Sequence, residues 1–144
     1  MKYEFEVIGK PVSKGRPRLG RYGTYTPEKT VNYENLVKYA FLSKYGSVKP
    51  STKEFKARIV AYFPVPQSYS KKKREMLLPV EGVPCSGAGY KGRVDADNLA
   101  KSILDALNNI VYVDDSQVTS LLVFKMYGEE AKVEVELEEI GEFI

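Results

Sequence analysis

Apolar residues alternate with charged ones in "KYEFEVI", residues 2 to 8, placing Tyr3, Phe5 and Val7 on one side. This period of two predicts a strand with one buried face. The pattern then dissolves through "GKPVSKGRPRLGRYG", where glycines and prolines predict an irregular loop. At "YTPEKT", Thr26 is suited to cap a helix, with Pro27 at its first position and Glu28 near the positive end of the dipole. Tyr33, Leu36, Val37, Ala40 and Phe41 recur at helical spacing, so the helix is expected to run from Pro27 to Tyr45.

Alternation returns in "EFKARIVAYF", residues 54 to 63, with Phe55, Ala57, Ile59, Ala61 and Phe63 on one face and prolines at 64 and 66 ending the run. Ser70 is placed to cap a short helix, "KKKREMLL", that stops at Pro79. Residues 79 to 92 have no periodicity and are expected to form a long loop, of the kind that is often functional. A helix over 98 to 109 buries Leu99, Ile103, Ala106, Leu107 and Ile110, with Lys101 and Asp105 on its other side. "QVTSLLVFKMY" and "AKVEVELEEI" read as two strands joined by a turn at Gly128 to Glu130, an antiparallel hairpin with Glu134, Glu136 and Glu138 facing solvent. The expected fold is α+β: a small mixed β-sheet of about four strands with a C-terminal antiparallel hairpin, packed against about three helices. With 144 residues and 43% hydrophobic content, residues 1 to 144 are expected to form a single domain.

Charge sharpens this picture. Residues 1 to 93 carry 19 Lys/Arg against 7 Asp/Glu, and residues 94 to 144 carry 3 against 12, giving +12 and −9. Such a layout suits a polyanion held against a carboxylate-bound cation, although the two halves could also simply attract each other. Four cations, Lys71, Lys72, Lys73 and Arg74, open the short helix against its dipole, which hints at an external anion. The N-terminus lacks the apolar block of a signal peptide and no run approaches the roughly 20 residues of a membrane span, so a cytoplasmic protein is expected, in a bacterial cell or a phage-infected host. One cysteine, Cys85, excludes an internal disulfide and is expected to be inert. The chain has no histidine. Histidine-dependent nucleases, proteases and triads are thereby excluded, and any bound metal must be a hard ion taking oxygen ligands, such as magnesium or manganese.

Two aspartate pairs supply those ligands: Asp95 and Asp97 in "RVDADNLAK", and Asp114 and Asp115 in "VYVDDSQV". In an extended segment, side chains two apart share a side about 6.5–7 Å apart, so Asp95 and Asp97 could face one point. The helix behind them is about 18 Å long. The six residues from Ile110 to Asp115 reach roughly 20 Å when extended, enough to return beside Asp97. Alternation turns Asp114 and Asp115 to opposite sides, so one of them is expected to enter the site. Taken singly, Asp97 reads as a helix cap and the second pair as a polar turn. Together the carboxylates would repel unless a divalent ion joined them. Lys101, one turn beyond Asp97, could pair with Asp97 or Asp105, or stabilise charge at a phosphate.

"DADNLAKSILDALNN" followed by "VYVDDSQV" resembles the RusA family of Holliday junction resolvases, many of them carried by bacteriophages; its pattern is D-x-D-N-x-x-K, a D-A-L helix, then D-D-x-Q-V. The "GKPVSKGRPR" loop, the "SYSKKKRE" helix start and the "VEVEL" strand are similar to those of phage-type members. The resemblance implies that Asp95, Asp97 and Asp115 are catalytic carboxylates that bind magnesium, with manganese as a substitute, and that Lys101 is the family's required lysine; Asp114 matches an adjacent, less critical position. It also implies a homodimer that makes paired nicks in a four-way DNA junction, a symmetry that a two-fold dimer matches. Val94 stands where many relatives have proline. Lys10, Lys14, Arg16, Arg18, Arg21, Lys71, Lys72, Lys73, Arg74, Lys91 and Arg93 would then hold DNA phosphates. Tyr22, Tyr25 and Tyr90 could stack on unpaired bases, although packing is the commoner role for tyrosine. Neither a membrane nor a small organic cofactor enters this reading.

Three rival readings are weaker. A manganese-dependent glycosyltransferase D-x-D needs a larger nucleotide-binding domain than 144 residues offer. A restriction-type E-x-K at Glu130 to Lys132 falls in an expected turn. A non-catalytic junction- or RNA-binding module with a structural acidic cluster is the rival outside enzymology.

Overall fold

The computed structural model describes residues 1–15, 18–25, 27–81, 83 and 86–142, excepting the side chains of Arg18 and Tyr25. Thr26, expected to cap the first helix, and Cys85 lie outside the described residues. The elements in chain order are β1 (Lys2–Ile8), β2 (Arg18–Gly20), β3 (Gly23–Tyr25), α1 (Glu28–Tyr45), β4 (Lys53–Pro64), α2 (Lys71–Leu77), α3 (Ala96–Ala106), a 3-10 turn (Asp115–Gln117), β5 (Val118–Gly128) and β6 (Lys132–Glu142).

The fold is α+β, and the described residues form three helices and a mixed four-stranded sheet in the order β1-β6-β4-β5. β6 pairs antiparallel with both β1 and β4, and β4 pairs parallel with β5. The C-terminal strands run antiparallel, as expected, but they do not form a hydrogen-bonded hairpin, because β4 lies between them. Crossing β4 means moving two inter-strand spacings, about 9.5 Å. The four steps from Gly128 to Lys132 reach about 13 Å, so a link of turn length suffices. Gly128 makes this crossing possible: a Cβ there would lie 2.9 Å from both Cβ and Cδ1 of Tyr62 on β4.

Alternation places the core as expected. Tyr3, Phe5 and Val7 of β1, Phe55, Ala57, Ile59, Ala61 and Phe63 of β4, and Val133, Val135 and Leu137 of β6 line one sheet face. Against it lie Tyr33, Val37 and Phe41 of α1 and Leu99, Ile103 and Leu107 around α3, whose charged side is left outward. Leu36, expected in the α1 stripe, stays 39% exposed at its rim, where Thr30 continues the buried line instead.

Glu134, Glu136 and Glu138 of β6 are half-buried rather than freely solvated, because β6 is an inner strand. Lys2 pairs with Glu136 (2.6 Å), Lys56 with Glu138 (3.4 Å) and Lys132 with Glu134 (3.6 Å). Part of the charge asymmetry is therefore neutralised within the sheet. The segment after α2, expected to lack structure, joins the outer edge of β5: Tyr90 N donates to Lys125 O (2.8 Å) and Tyr127 N to Ala88 O (3.1 Å). An edge covered this way is closed to strand addition over that stretch.

Gly128→Ala should force Tyr62 from its position and lower stability by about 1–3 kcal/mol. The check is a urea titration in which the midpoint falls at unchanged slope, while Glu129→Ala in the same link stays within about 0.5 kcal/mol of the parent.

Candidate active site

α3 begins two residues earlier than the pattern predicts. Asp95 is its N-cap residue, extended at φ −72° and ψ 131°, and its carbonyl accepts from Leu99 N (3.0 Å). Its carboxylate makes no capping bond but accepts from Asn98 Nδ2 (3.3 Å). Asp97 falls in the first helical turn, where the dipole favours a negative charge. Asp97, Lys101 and Asp105 are then four residues apart, so they line one outward face of α3. Asp95 and Asp97 are both exposed.

The chain reverses at once after Ala106. Ile110 N and Val111 N both donate to Leu107 O (3.1 Å each), Asn109 takes a positive φ of 61°, and Asn109 N donates to Tyr112 O (2.7 Å). Tyr112 is fully buried, and its hydroxyl donates to Leu104 O. Residues 107 to 112 are thus used in a tight turn rather than an extended return. Asp115 consequently arrives beside Asp105, which lies two helical turns past Asp97 on α3.

The two members of the second pair divide their work. Asp114 caps the 3-10 turn, its carboxylate accepting from Ser116 N (3.1 Å), and the Ser116 hydrogen bonds hold its pKa below the usual carboxylate range. Gln117, buried beneath, donates from Nε2 to Ser51 O and Lys53 O (2.8 Å each) while its Oε1 accepts from Asp114 N (2.9 Å). That side chain fixes the turn to the start of β4. Asp115, the next residue, is half-buried and within hydrogen-bonding reach of the Asp105 carboxyl. The hydrogen bond with Asp105, then burial, then the charges of Asp105 and Asp114 push the Asp115 pKa up to about 6, against a lowering by Lys101.

Asp105 has a second partner. Lys14, in the loop after β1, pairs with Glu34 of α1 (2.7 Å) and with Asp105 (3.2 Å), its side chain only 19% exposed. Burial alone would lower its pKa, but the hydrogen bonds to Glu34 and Asp105 prevail and raise it. Around it, Lys14 N donates to Asn98 O (2.9 Å) and Ser102 Oγ to Val12 O (2.8 Å). The loop expected to be irregular is therefore laced onto α3. Lys14 and Asp105 were missed as parts of this centre; the only sequence signal was Asp105 four residues after Lys101, on the polar side of the helix.

Among the described residues, no group of three carboxylates is close enough to hold a metal ion, so Asp95, Asp97 and Asp115 do not meet as one ligand set. The donors present nonetheless suit a hard cation in kind. All are carboxylate oxygens, and two of them, on Asp105 and Asp115, lie within hydrogen-bonding reach of each other, a like-charge contact that a cation would relieve.

The expected DNA-binding cations are placed unequally. Lys10, Arg21, Lys71, Lys72, Lys73, Lys91 and Arg93 are exposed. Ser70 caps α2 through Lys73 N (3.2 Å), and the Lys73 ammonium lies 3.9 Å from the centre of the Tyr69 ring. Arg74 is instead half-buried and donates to Val65 O (3.2 Å) and Pro66 O (3.3 Å). Arg16 and the Arg18 side chain lie outside the described residues. Tyr90 packs rather than projecting: it stacks on Phe63 at 3.9 Å and meets Tyr127 edge-on at 5.4 Å. Lys132 of the E-x-K triplet pairs with Glu6 (3.3 Å) and Glu134, away from α3.

Residues 9–138 match the profile of the family Endodeoxyribonuclease RusA. A Bacillus subtilis (strain 168) relative, "Uncharacterized protein YqaN", is 33% identical over 142 residues, covering 96% of each chain. The chain belongs to the RusA endodeoxyribonuclease family. It is thereby a nuclease of the Holliday junction resolvase type, acting on DNA. Among the described residues, no helix is long and apolar enough to cross a membrane.

Two outcomes follow from the Lys14, Asp105 and Asp115 geometry. In metal-free protein, the Asp115 carboxyl should titrate near pH 6 by carbon-13 NMR. Because the folded state then binds more protons than the unfolded state between about pH 4 and 6, the contribution to stability is present at low pH and falls as pH rises through 6; Asp115→Asn should remove that slope. Lys14→Met leaves two carboxylates uncompensated and should cost about 1–3 kcal/mol in a denaturant titration, whereas Lys10→Met should change little.

Proposed function

We propose that this protein resolves four-way DNA junctions by hydrolysing phosphodiesters with a hard divalent cation, magnesium or manganese, at the outward face of α3. The observation that carries this is the Asp97, Lys101, Asp105 row with Asp115 packed against its end, in a chain of an endodeoxyribonuclease family. Asp95, Asp97 and Asp115 are the proposed cation-binding carboxylates, with Asp105 beside Asp115 and Asp114 as cap of the turn. When bound, the cation supplies Lewis-acid polarisation of the scissile phosphate.

The protein's own groups do the rest. With its pKa raised to about 6, Asp115 takes up a proton more readily than an ordinary carboxylate, and a cation held there would compete with that proton. Lys101 Nζ, on the same face and near enough to lower the Asp115 pKa, stabilises negative charge developing on the phosphate. Lys10, Arg21, Lys71 to Lys73, Lys91 and Arg93, all exposed, hold flanking phosphates and set the salt dependence of binding. Two copies related by a two-fold axis place one such face on each of two opposing strands, which gives paired nicks.

A synthetic four-way junction and a linear duplex of the same sequence, incubated with magnesium, manganese or chelator, test the proposal. Symmetrical cuts in the junction alone, abolished by chelator, are expected. Asp97→Asn should reduce nicking on the order of 1,000-fold while junction binding persists. Chelator-resistant cutting, or equal cutting of the duplex, would overturn it. If the parent binds junctions but never nicks them, the acidic face is structural.

A further inference from the structure

Gly15 and Pro27, which flank the excursion of the chain that carries β2 and β3, lie side by side. Gly15 N donates to Thr30 Oγ1 (2.9 Å), and a Cβ on Gly15 would lie 2.9 Å from both Pro27 Cγ and that Oγ1, so the two ends of the excursion pack together. One residue earlier, Lys14 is fixed to α3 through Asn98 O and Asp105. The root of the excursion therefore stands beside the carboxylate face.

What projects from that root is a two-stranded ribbon. β2 and β3 pair antiparallel, with Gly20 opposite Gly23 and Arg21 and Tyr22 forming the tip. Gly23 has φ +116° and open space where a Cβ would be, so the turn needs glycine for its backbone and not for packing. The ribbon carries two large apolar side chains that join no core: Leu19 is 88% exposed and Tyr22 is 93% exposed. The Arg21 guanidinium lies 5.8 Å from the Tyr22 ring centre, leaving the ring accessible. Folding gains nothing from holding an aromatic and an aliphatic residue in water at the end of an arm.

We infer that the β2–β3 ribbon is a nucleobase-binding arm, with the Tyr22 ring and the Leu19 side chain bearing on unstacked base faces at the branch point of a DNA junction. This rests on the proposed endonuclease reading. An intact duplex hides its base faces in the stack, whereas a branch point exposes them beside the strands to be cut, so such contacts favour the junction. Stacking on an aromatic ring tolerates any base, and an apolar wedge between steps acts likewise. Charge selects the occupant: Lys10, Arg18 and Arg21 accompany the apolar pair in the sequence, which suits DNA and repels a second copy of the same arm.

The test compares the full chain with Tyr22→Ser, Tyr22→Phe and Leu19→Ser, all at positions that join no core. Binding is measured in chelator to a four-way junction carrying 2-aminopurine at the branch point, and to a linear duplex of the same sequence. Tyr22→Ser should weaken junction binding by about 10-fold or more and remove the fluorescence change, Tyr22→Phe should keep both, and duplex binding should stay within about twofold. Unchanged junction affinity in Tyr22→Ser, or equal losses on junction and duplex, overturns the arm. Nicking of the junction by the parent protein in magnesium is followed in parallel: a parent that nicks alongside an unaffected Tyr22→Ser overturns the arm alone, whereas a parent that nicks no junction overturns the endonuclease reading.

Discussion

The ammonium of Lys14, set between Glu34 and Asp105, is the interaction on which the rest of the centre depends. It joins three pieces of chain that share no hydrogen-bonded ladder: the loop after β1, the helix α1 and the helix α3. A lysine in a largely shielded place is stable only while its carboxylate partners stay within reach, so the ion pairs hold the loop against both helices. Through Asp105 the same contact reaches Asp115, whose position is fixed from the other side by Gln117 and the start of β4. One cation thus stands at the base of both the carboxylate pair and the exposed ribbon that begins three residues after Gly15.

Much of the fold was legible because burial here follows backbone period closely. Alternation named the inward residues of β1, β4 and β6, and the three-to-four spacing named those of α1 and α3. It could not name neighbours in the sheet. Period two tells which face a side chain takes, but a strand of charged and apolar residues in alternation pairs equally well on either side of β4. A link of turn length suggested a hairpin, and only the Gly128 and Tyr62 contact distinguishes the crossing.

The site was legible in part. Asp97 and Lys101 were named as candidates by their spacing and by the family pattern, whereas Asp114 and Asp115 are set apart by the 3-10 turn that Asp114 caps and not by the alternation of an extended segment. Asp105 escaped notice because a carboxylate on the outer side of a helix is ordinarily just solvated. Lys14 was read as one cation of a basic loop, since sequence cannot show which of several lysines faces inward. The tight turn at Asn109 was invisible for a similar reason: six residues can run extended or fold back, and the buried Tyr112 hydroxyl on Leu104 O decides it. Among the described residues, no group of three carboxylates closes into one metal-holding set.

The proton that Asp115 binds below its raised pKa of about 6 makes the central claim measurable. If the α3 face takes a divalent cation, manganese must displace that proton, and calorimetric titration in buffers of different ionisation enthalpy counts the protons released. The account predicts release that grows as pH is lowered through 6, and its loss in Asp115→Asn. Manganese binding with no proton release at any pH between 5 and 7, or release unchanged in Asp115→Asn, would contradict it.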